Sequence, residues 1–345
     1  MSNPLFARKP LSMLLEEMKG ENRLKRVLGP MQLTALGVGA IIGAGIFVVT
    51  GVAAHNVAGP ALMLSYVVAG TACIFAALCY AEFASMVPVA GSAYTYAYAT
   101  LGELFAWIIG WDLVLEYAVG SATVANGWSS YFQSVLAKFD LHFPAALAGP
   151  PIDFNTATGR FVTTEGIINL PAVLVVILVT LVLVKGISES AWFNATMVAL
   201  KVAVVLFVIV VGAFYVNPEN WTPFAPYGMS GLTILGQTIG GQTTAGGQPV
   251  GMLAGAAIIF FAYIGFDSVS THAEEARRPN RDVPIGIVCS LVICTLLYIA
   301  VVAVLTGMVP YDKIDVGAPV SDAFKQVGLA KAEFLIAAAG VAGIT

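Results

Sequence analysis

A chain of 345 residues that is 58% hydrophobic and only 10% charged, with a mean hydropathy of +0.86, is no ordinary soluble domain, where charged residues average about 25%. The net charge of −4 is small and no basic stripe or recognition motif occurs, so nucleic-acid binding is excluded. Apolar runs recur at the roughly 20-residue length that crosses a bilayer core, which predicts an all-α polytopic membrane protein.

The first thirty residues are not a signal peptide, because they carry Arg8, Lys9, Lys19, Arg23, Lys25 and Arg26 and lack an early apolar core. Within them "PLSMLLEEMKG" reads either as a short amphipathic helix on the inner membrane face or as a plain solvated tail. Spans are predicted at 31–54, 60–86, 98–135, 166–186, 190–216, 250–271 and 284–309, with the beginning of another at 331–345. This gives a cytoplasmic N-terminal segment (1–30), five spans over 31–216, an external loop (217–249) and a further group from 250 to 345. Orientation follows from the short loops: the basic residues before span one and Arg277, Arg278 and Arg281 after span six all fall inside, whereas 217–249 has no Lys or Arg and falls outside. Residues 136–165 read as an external loop. Residues 228–249, rich in Gly, Gln and Thr, are too polar for a span and too glycine-rich for a firm helix, and read as a mobile extracellular excursion. The run at 331–345 stops without a terminal flank, as expected of a piece of a longer protein, truncated in span eight.

Cys73, Cys79, Cys289 and Cys294 lie in apolar spans, where thiols behave as small hydrophobes, and none has a metal-ligand spacing with His55, His142 or His272. No cofactor or metal is called for. An enzyme finds no support, since no nucleophile–base pattern emerges. A channel would need a continuous polar path that most spans do not offer.

Span one contains "GVGAIIGAGIF", with glycines at 37, 39, 43 and 45, each of which weakens a helix interior by about 1 kcal/mol. Gly39 and Gly43 form a G-x-x-x-G pair, which fits a close helix-packing face. The other reading is an interrupted helix, because irregular backbone at membrane depth survives where it lines a cavity or is buried in protein. Span six, "IIFFAYIGFDSVSTHAEE", shifts the balance: it places Gly265 and Asp267 in mid-span, where an ionisable residue is costly. Two interrupted apolar segments in corresponding positions point to a transporter site. N–H groups of a half-helix starting near Gly45 suit an anion, and carbonyls around Phe261, Ala262 and Ile264 suit an ammonium. That pair of dipoles matches a zwitterion, so the expected substrate is an L-amino acid.

"GVGAIIGAGIF", "PVAGSAYTYAY" and "EEARRPNRDVPIGI", in this order, resemble the amino acid–polyamine–organocation superfamily, particularly bacterial relatives of the cationic amino acid transporters. The resemblance covers residues 25–345. It implies an inverted five-plus-five helix repeat of about twelve spans with discontinuous helices 1 and 6, so that 31–216 is the first repeat and 250–345 an incomplete second. It implies a carboxylate site at Ile42, Gly43, Ala44 and Gly45 and an amino-group site at Phe261, Ala262 and Ile264. Many relatives carry Ser or Thr where this chain has Ala44, which leaves backbone donors. A multi-pass protein of the cytoplasmic membrane moving neutral or cationic amino acids by alternating access is expected. The sequence leaves open a small membrane subunit as a further partner beside the lipid bilayer.

Lys201 stands in "FNATMVALKVAVVLFVIVV", about 16 Å from the inner end at 1.5 Å per residue, too central to snorkel easily. The resemblance places it at a sodium site of distant members of the fold, beside the unwound part of span one. The expectation is H⁺ symport through Lys201, with amino acid exchange and a purely structural lysine as the alternative. Asp112 and Glu116, four apart, project from one face of span three. They either meet a cationic substrate side chain, as the resemblance implies, or partner Lys201 and nearby polar groups. Asp267 has a similar division, between closing hydrogen bonds in the broken helix and lining the pocket.

Overall fold

The computed structural model describes residues 6–10, 12–13, 26–87, 89, 91–155, 158–184, 191–235, 237–239 and 242–344. The expected amphipathic helix in "PLSMLLEEMKG" falls largely outside them. The protein is predominantly helical, as its apolar composition requires. The helices that matter here are α1 (Pro30–Ile41), α2 (Leu62–Met86), α3 (Ser92–Thr100), α4 (Glu103–Ala137), α5 (Leu170–Val184) and α6 (Ala191–Ala213). Beyond the external loop come α7 (Met252–Ile259), α8 (Ser268–Thr271), α9 (Pro279–Met308), α10 (Pro319–Gln326) and α11 (Ala330–Ile344).

The third span does not start at residue 98. Helix α3 ends at Thr100, and Gly102 turns the chain with φ +107°, where an added β-carbon would lie 2.9 Å from the Phe6 backbone. A side chain is excluded there both by the left-handed backbone and by the neighbour. Helix α9 starts before the predicted 284: Pro279 occupies a first-turn position, and the Asp282 carboxylate accepts from the Arg278 N–H at 3.2 Å. Pro is tolerated at a helix start and an acid three or four residues in can cap it, so the helix runs through Pro284.

The external segments are not wholly irregular. Ile152–Asn155 pairs antiparallel with Arg160–Thr163 (β1, β2). In place of a structureless excursion at 228–249, Leu232–Ile234 pairs with Gln237–Ile239 (β3, β4) and Gln242–Thr243 with Pro249–Val250 (β5, β6). Ahead of these pairs, the Tyr227 hydroxyl donates to the His55 carbonyl at 2.6 Å, and the Gly251 N–H donates to the Val57 carbonyl at 2.8 Å. Burial, then Tyr311 and Asp312 nearby, push the Tyr227 phenol up, so it stays a donor.

The chain forms two compact units, each described by itself. The first joins the residues up to Ile41 with Gly70–Ser121 and Tyr263–Cys294; the second joins Ile42–Ala69, Ala122–Ala262 and the part from Thr295 onward. The chain passes from one unit to the other between Ile41 and Ile42 and again between Ala262 and Tyr263, which is where spans one and six lose their α-helical form.

In the first unit, α1 is held at both ends. Before it, Leu28 and Ala276 form a parallel bridge: the Leu28 N–H donates to Glu275 at 3.0 Å, and the Arg277 N–H donates to Leu28 at 2.8 Å. The Arg277 Nε adds a bond to the Val27 carbonyl at 3.0 Å. Along its length Gly37 fits where a β-carbon would lie 2.5 Å from the Ser290 Oγ and 2.7 Å from Val269. The close packing of span one in this unit therefore runs through Gly37.

Candidate functional site: two interrupted spans

In the second unit the chain bends at Ile42 and Gly43, then resumes with a π-helical turn at Gly45–Val49 and one α-turn at Thr50–Ala53 before a second π-helical turn at Ala54–Ala58. Single π-turns inside helices occur mostly at functional sites. Their loosened carbonyls are taken up by side chains. The Thr50 hydroxyl donates to the Gly45 carbonyl at 3.0 Å, and the buried Tyr131 hydroxyl donates to the Phe47 carbonyl at 2.8 Å.

Span six enters the same unit as α7 and tightens into a 3₁₀ turn at Phe260–Tyr263. There it meets span one. A β-carbon at Gly45 would lie 2.8 Å from the Ala262 Cα and 3.1 Å from the Ala262 carbonyl oxygen. Only glycine lets two main chains approach so closely. Gly43 is the opposite case: a β-carbon there would meet nothing within 4 Å. The G-x-x-x-G reading thus does not describe Gly43, which faces open space, while Gly45 makes the contact. Ile42 and Ala44 are buried; Ala262 is 3% exposed, whereas the Phe261 ring is 64% exposed and turned away, leaving Phe261 its main chain to offer.

The Ala262 carbonyl also accepts from the Tyr298 hydroxyl at 3.1 Å. Tyr66 stands next to this pair, its ring edge-on to Tyr298 at 5.2 Å and its hydroxyl 2.7 Å from the Thr50 Oγ1. None of these three hydroxyl residues stood out in the sequence. A hydroxyl in mid-span commonly bonds its own helix one turn back, so nothing marked these as different.

In the first unit span six turns through Ile264–Asp267, with Gly265 at φ +109°. A β-carbon there would be strained and would lie 2.8 Å from the Ala40 carbonyl oxygen of α1. The polar run that follows repairs the broken ladder. Ser268 Oγ donates to the Gly265 carbonyl at 2.6 Å, Ser270 Oγ to the Asp267 carbonyl at 2.6 Å and Thr271 Oγ1 to the Ser268 carbonyl at 2.6 Å. Asp267 is 6% exposed, and its Oδ2 accepts from the Ser92 hydroxyl at 3.1 Å and the Tyr117 hydroxyl at 3.2 Å. Ser92 adopts φ +50°, an uncommon conformation for a residue with a side chain, directly after Gly91 at φ +135°. "AGSAYTYAY" is therefore the segment that delivers a hydroxyl to Asp267.

The two acids of α4 differ. Glu116 is half-buried in the first unit, while Asp112 is exposed beside the exposed Trp111 and Leu115. In the second unit Lys201 on α6 lays its stem against α11: its Cγ is 3.5 Å from a β-carbon built at Gly343, and Phe47 is 3.8 Å from the same point. Among the described residues no group of three or more His, Cys, Asp or Glu side chains is arranged to hold a metal ion.

Long apolar helices, two of them interrupted and knitted by side-chain hydroxyls, define a multi-pass all-α membrane protein. The chain belongs to the amino acid permease family, within the amino acid–polyamine–organocation superfamily: residues 28–345 match that family. It is 47% identical over 341 residues to the methylthioribose transporter of Bacillus subtilis, covering 99% of this chain and 68% of that protein. It is 46% identical to the branched-chain amino acid permease BcaP of the same organism, over 100% of this chain and 68% of that protein. Human cationic amino acid transporter 4 is 38% identical over 95% of this chain and 48% of its own length.

Proposed function

We propose that the protein is a secondary active transporter that moves L-amino acids across the cytoplasmic membrane by alternating access, with its N-terminus inside. The ligand's carboxylate is taken by N–H groups of Gly43–Gly45, where a half-helix start carries partial positive charge. Its ammonium is taken by the Ala262 carbonyl, with the neighbouring main chain at Phe261 and Ile264. The observation that carries this reading is the Ala262 carbonyl oxygen, 3.1 Å from the position a Gly45 β-carbon would occupy. It sets a cation acceptor beside an anion donor in a buried setting, and the open space at Gly43 adjoins it in the chain. Membership of the amino acid permease family and the name of BcaP point the same way.

The arrangement fits an inverted five-plus-five repeat in which spans one and six are equivalent. Lys201 carries the coupling: protonated, it braces span five, and loss of its proton loosens that brace, so that substrate moves with H⁺. Asp267 closes the break in span six through Ser92 and Tyr117, and Glu116 and Asp112 provide negative charge for a cationic side chain.

The test is uptake into proteoliposomes by the full-length protein, with and without an inward proton gradient, into empty and amino-acid-loaded vesicles. Gradient-driven accumulation of an amino acid in empty vesicles is expected. Uptake only into loaded vesicles identifies an exchanger. Uptake of methylthioribose with no amino acid uptake contradicts the zwitterion reading.

A further inference from the structure

We infer that three buried hydroxyls, those of Tyr298, Tyr66 and Thr50, position the two main-chain groups that grip the ligand, with Tyr298 the positioning residue for the amino-group acceptor. The inference rests on the reading of Gly43–Gly45 and Ala262 as the zwitterion site. All three side chains are fully buried. Hydroxyls inside apolar spans are retained where they have partners, and these are spent on the carbonyls at the two interruptions.

The direction of each bond follows from proton count. Thr50 has one hydroxyl hydrogen, given to the Gly45 carbonyl at 3.0 Å, so the Tyr66 hydroxyl 2.7 Å away donates to the Thr50 oxygen. That chain pins the Gly45–Ile46 peptide plane, in which the Ile46 N–H points opposite to the Gly45 carbonyl. Tyr298 holds the other side. Its hydroxyl fills one lone pair of the Ala262 carbonyl at 3.1 Å, which fixes the carbonyl's direction and leaves the second lone pair for an ammonium. The Tyr66 and Tyr298 rings, edge to face at 5.2 Å, join the two arms. Tyr298 therefore touches no ligand and acts through Ala262, and Thr50 acts through Gly45.

Tyr298→Phe, Thr50→Val and Thr50→Ser test this in the full-length protein in proteoliposomes, with alanine and its des-amino analogue propionate as competing probes. Loss of one oriented hydrogen bond corresponds to about a tenfold rise in KM for alanine. Tyr298→Phe is expected to show that rise with Vmax and Tm little changed, while propionate competes as it does against wild type. Thr50→Ser, which keeps the hydroxyl, is expected to behave as wild type, and Thr50→Val to raise KM for both probes. An unchanged KM for Tyr298→Phe overturns the inference alone, as does an equal rise for both probes. Thr50→Ser as damaging as Thr50→Val also overturns it. A wild-type protein that takes up no amino acid removes the zwitterion site itself, and this inference with it.

Discussion

The Ser92 hydroxyl donates to the buried Asp267 carboxylate at 3.1 Å, across a stretch of sequence that separates the second helical hairpin from the sixth span. It does so from a left-handed backbone at φ +50°, which a serine tolerates only with support from its surroundings. Asp267 is the hub, since the Tyr117 hydroxyl converges on the same oxygen at 3.2 Å. Asp267→Asn keeps an acceptor oxygen and is expected to fold with Tm within a few degrees of wild type. Asp267→Ala leaves two hydroxyls without their shared acceptor and costs about 2–4 kcal/mol. Thermal unfolding in detergent separates the two; equal stability of Asn and Ala variants contradicts a hydrogen-bonding role.

Gly43 and Gly45 are two residues apart and predict opposite outcomes. Gly45→Ala puts a β-carbon 2.8 Å from the Ala262 Cα, so the crossing must open and both stability and transport fall. Gly43→Ala meets nothing within 4 Å, so the protein folds normally. If that open space receives the ligand, Gly43→Ala still loses amino acid binding by at least about tenfold, a drop of roughly 1.4 kcal/mol. Thermal stability and binding measured side by side check this, and a Gly43→Ala variant that binds as wild type does would place the ligand elsewhere.

Lys201 sits in an apolar helix with its stem packed 3.5 Å from the Gly343 position. Lys201→Met preserves that packing and removes the titrating group. Accumulation driven by a proton gradient is expected to vanish while exchange between internal and external amino acid persists. Undiminished gradient-driven uptake discards the lysine's coupling role.

In the second unit Lys138 pairs with Glu333, which is 3% exposed, and Glu333 also has its carbonyl bound by the Ser321 hydroxyl at 3.2 Å. Removing one partner of a buried pair costs roughly 3–5 kcal/mol, and the lysine's 33% exposure discounts this toward the lower end. Lys138→Met is expected to destabilise by about 2–3 kcal/mol, and Lys138→Met with Glu333→Gln together by less. Thermal melts of the single and double variants check this; strict additivity would mean that the two residues do not interact.

The membrane class and the two interruptions were legible because their causes are local. Glycines at 37, 43, 45 and 265 and a carboxylate at 267 contradict an apolar helix on sight. Which glycine does what was not legible, because close approach depends on the partner: Gly45 faces a backbone, Gly43 faces space. Thr50, Tyr66 and Tyr298 went unseen because their roles exist only once distant spans meet. The bridge between Leu28 and Ala276 is of the same kind, main chain pairing main chain with no side-chain signal. The hairpins within 228–249 escaped because short Gly- and Gln-rich strands of two or three residues carry no alternating pattern. Phe261 shows the limit of naming residues by position, since its ring turns outward and leaves a carbonyl as its only contribution.

The central claim is that main chain from two interrupted spans holds the two charged ends of one amino acid. Equilibrium binding of alanine, alaninamide and propionate to the purified protein measures each end separately. The account predicts that alanine binds and that removing either charge weakens binding by at least about tenfold, since each end forfeits a charge-assisted contact. Equal affinity for all three ligands, or binding that survives loss of both the amino group and the carboxylate charge, would contradict it.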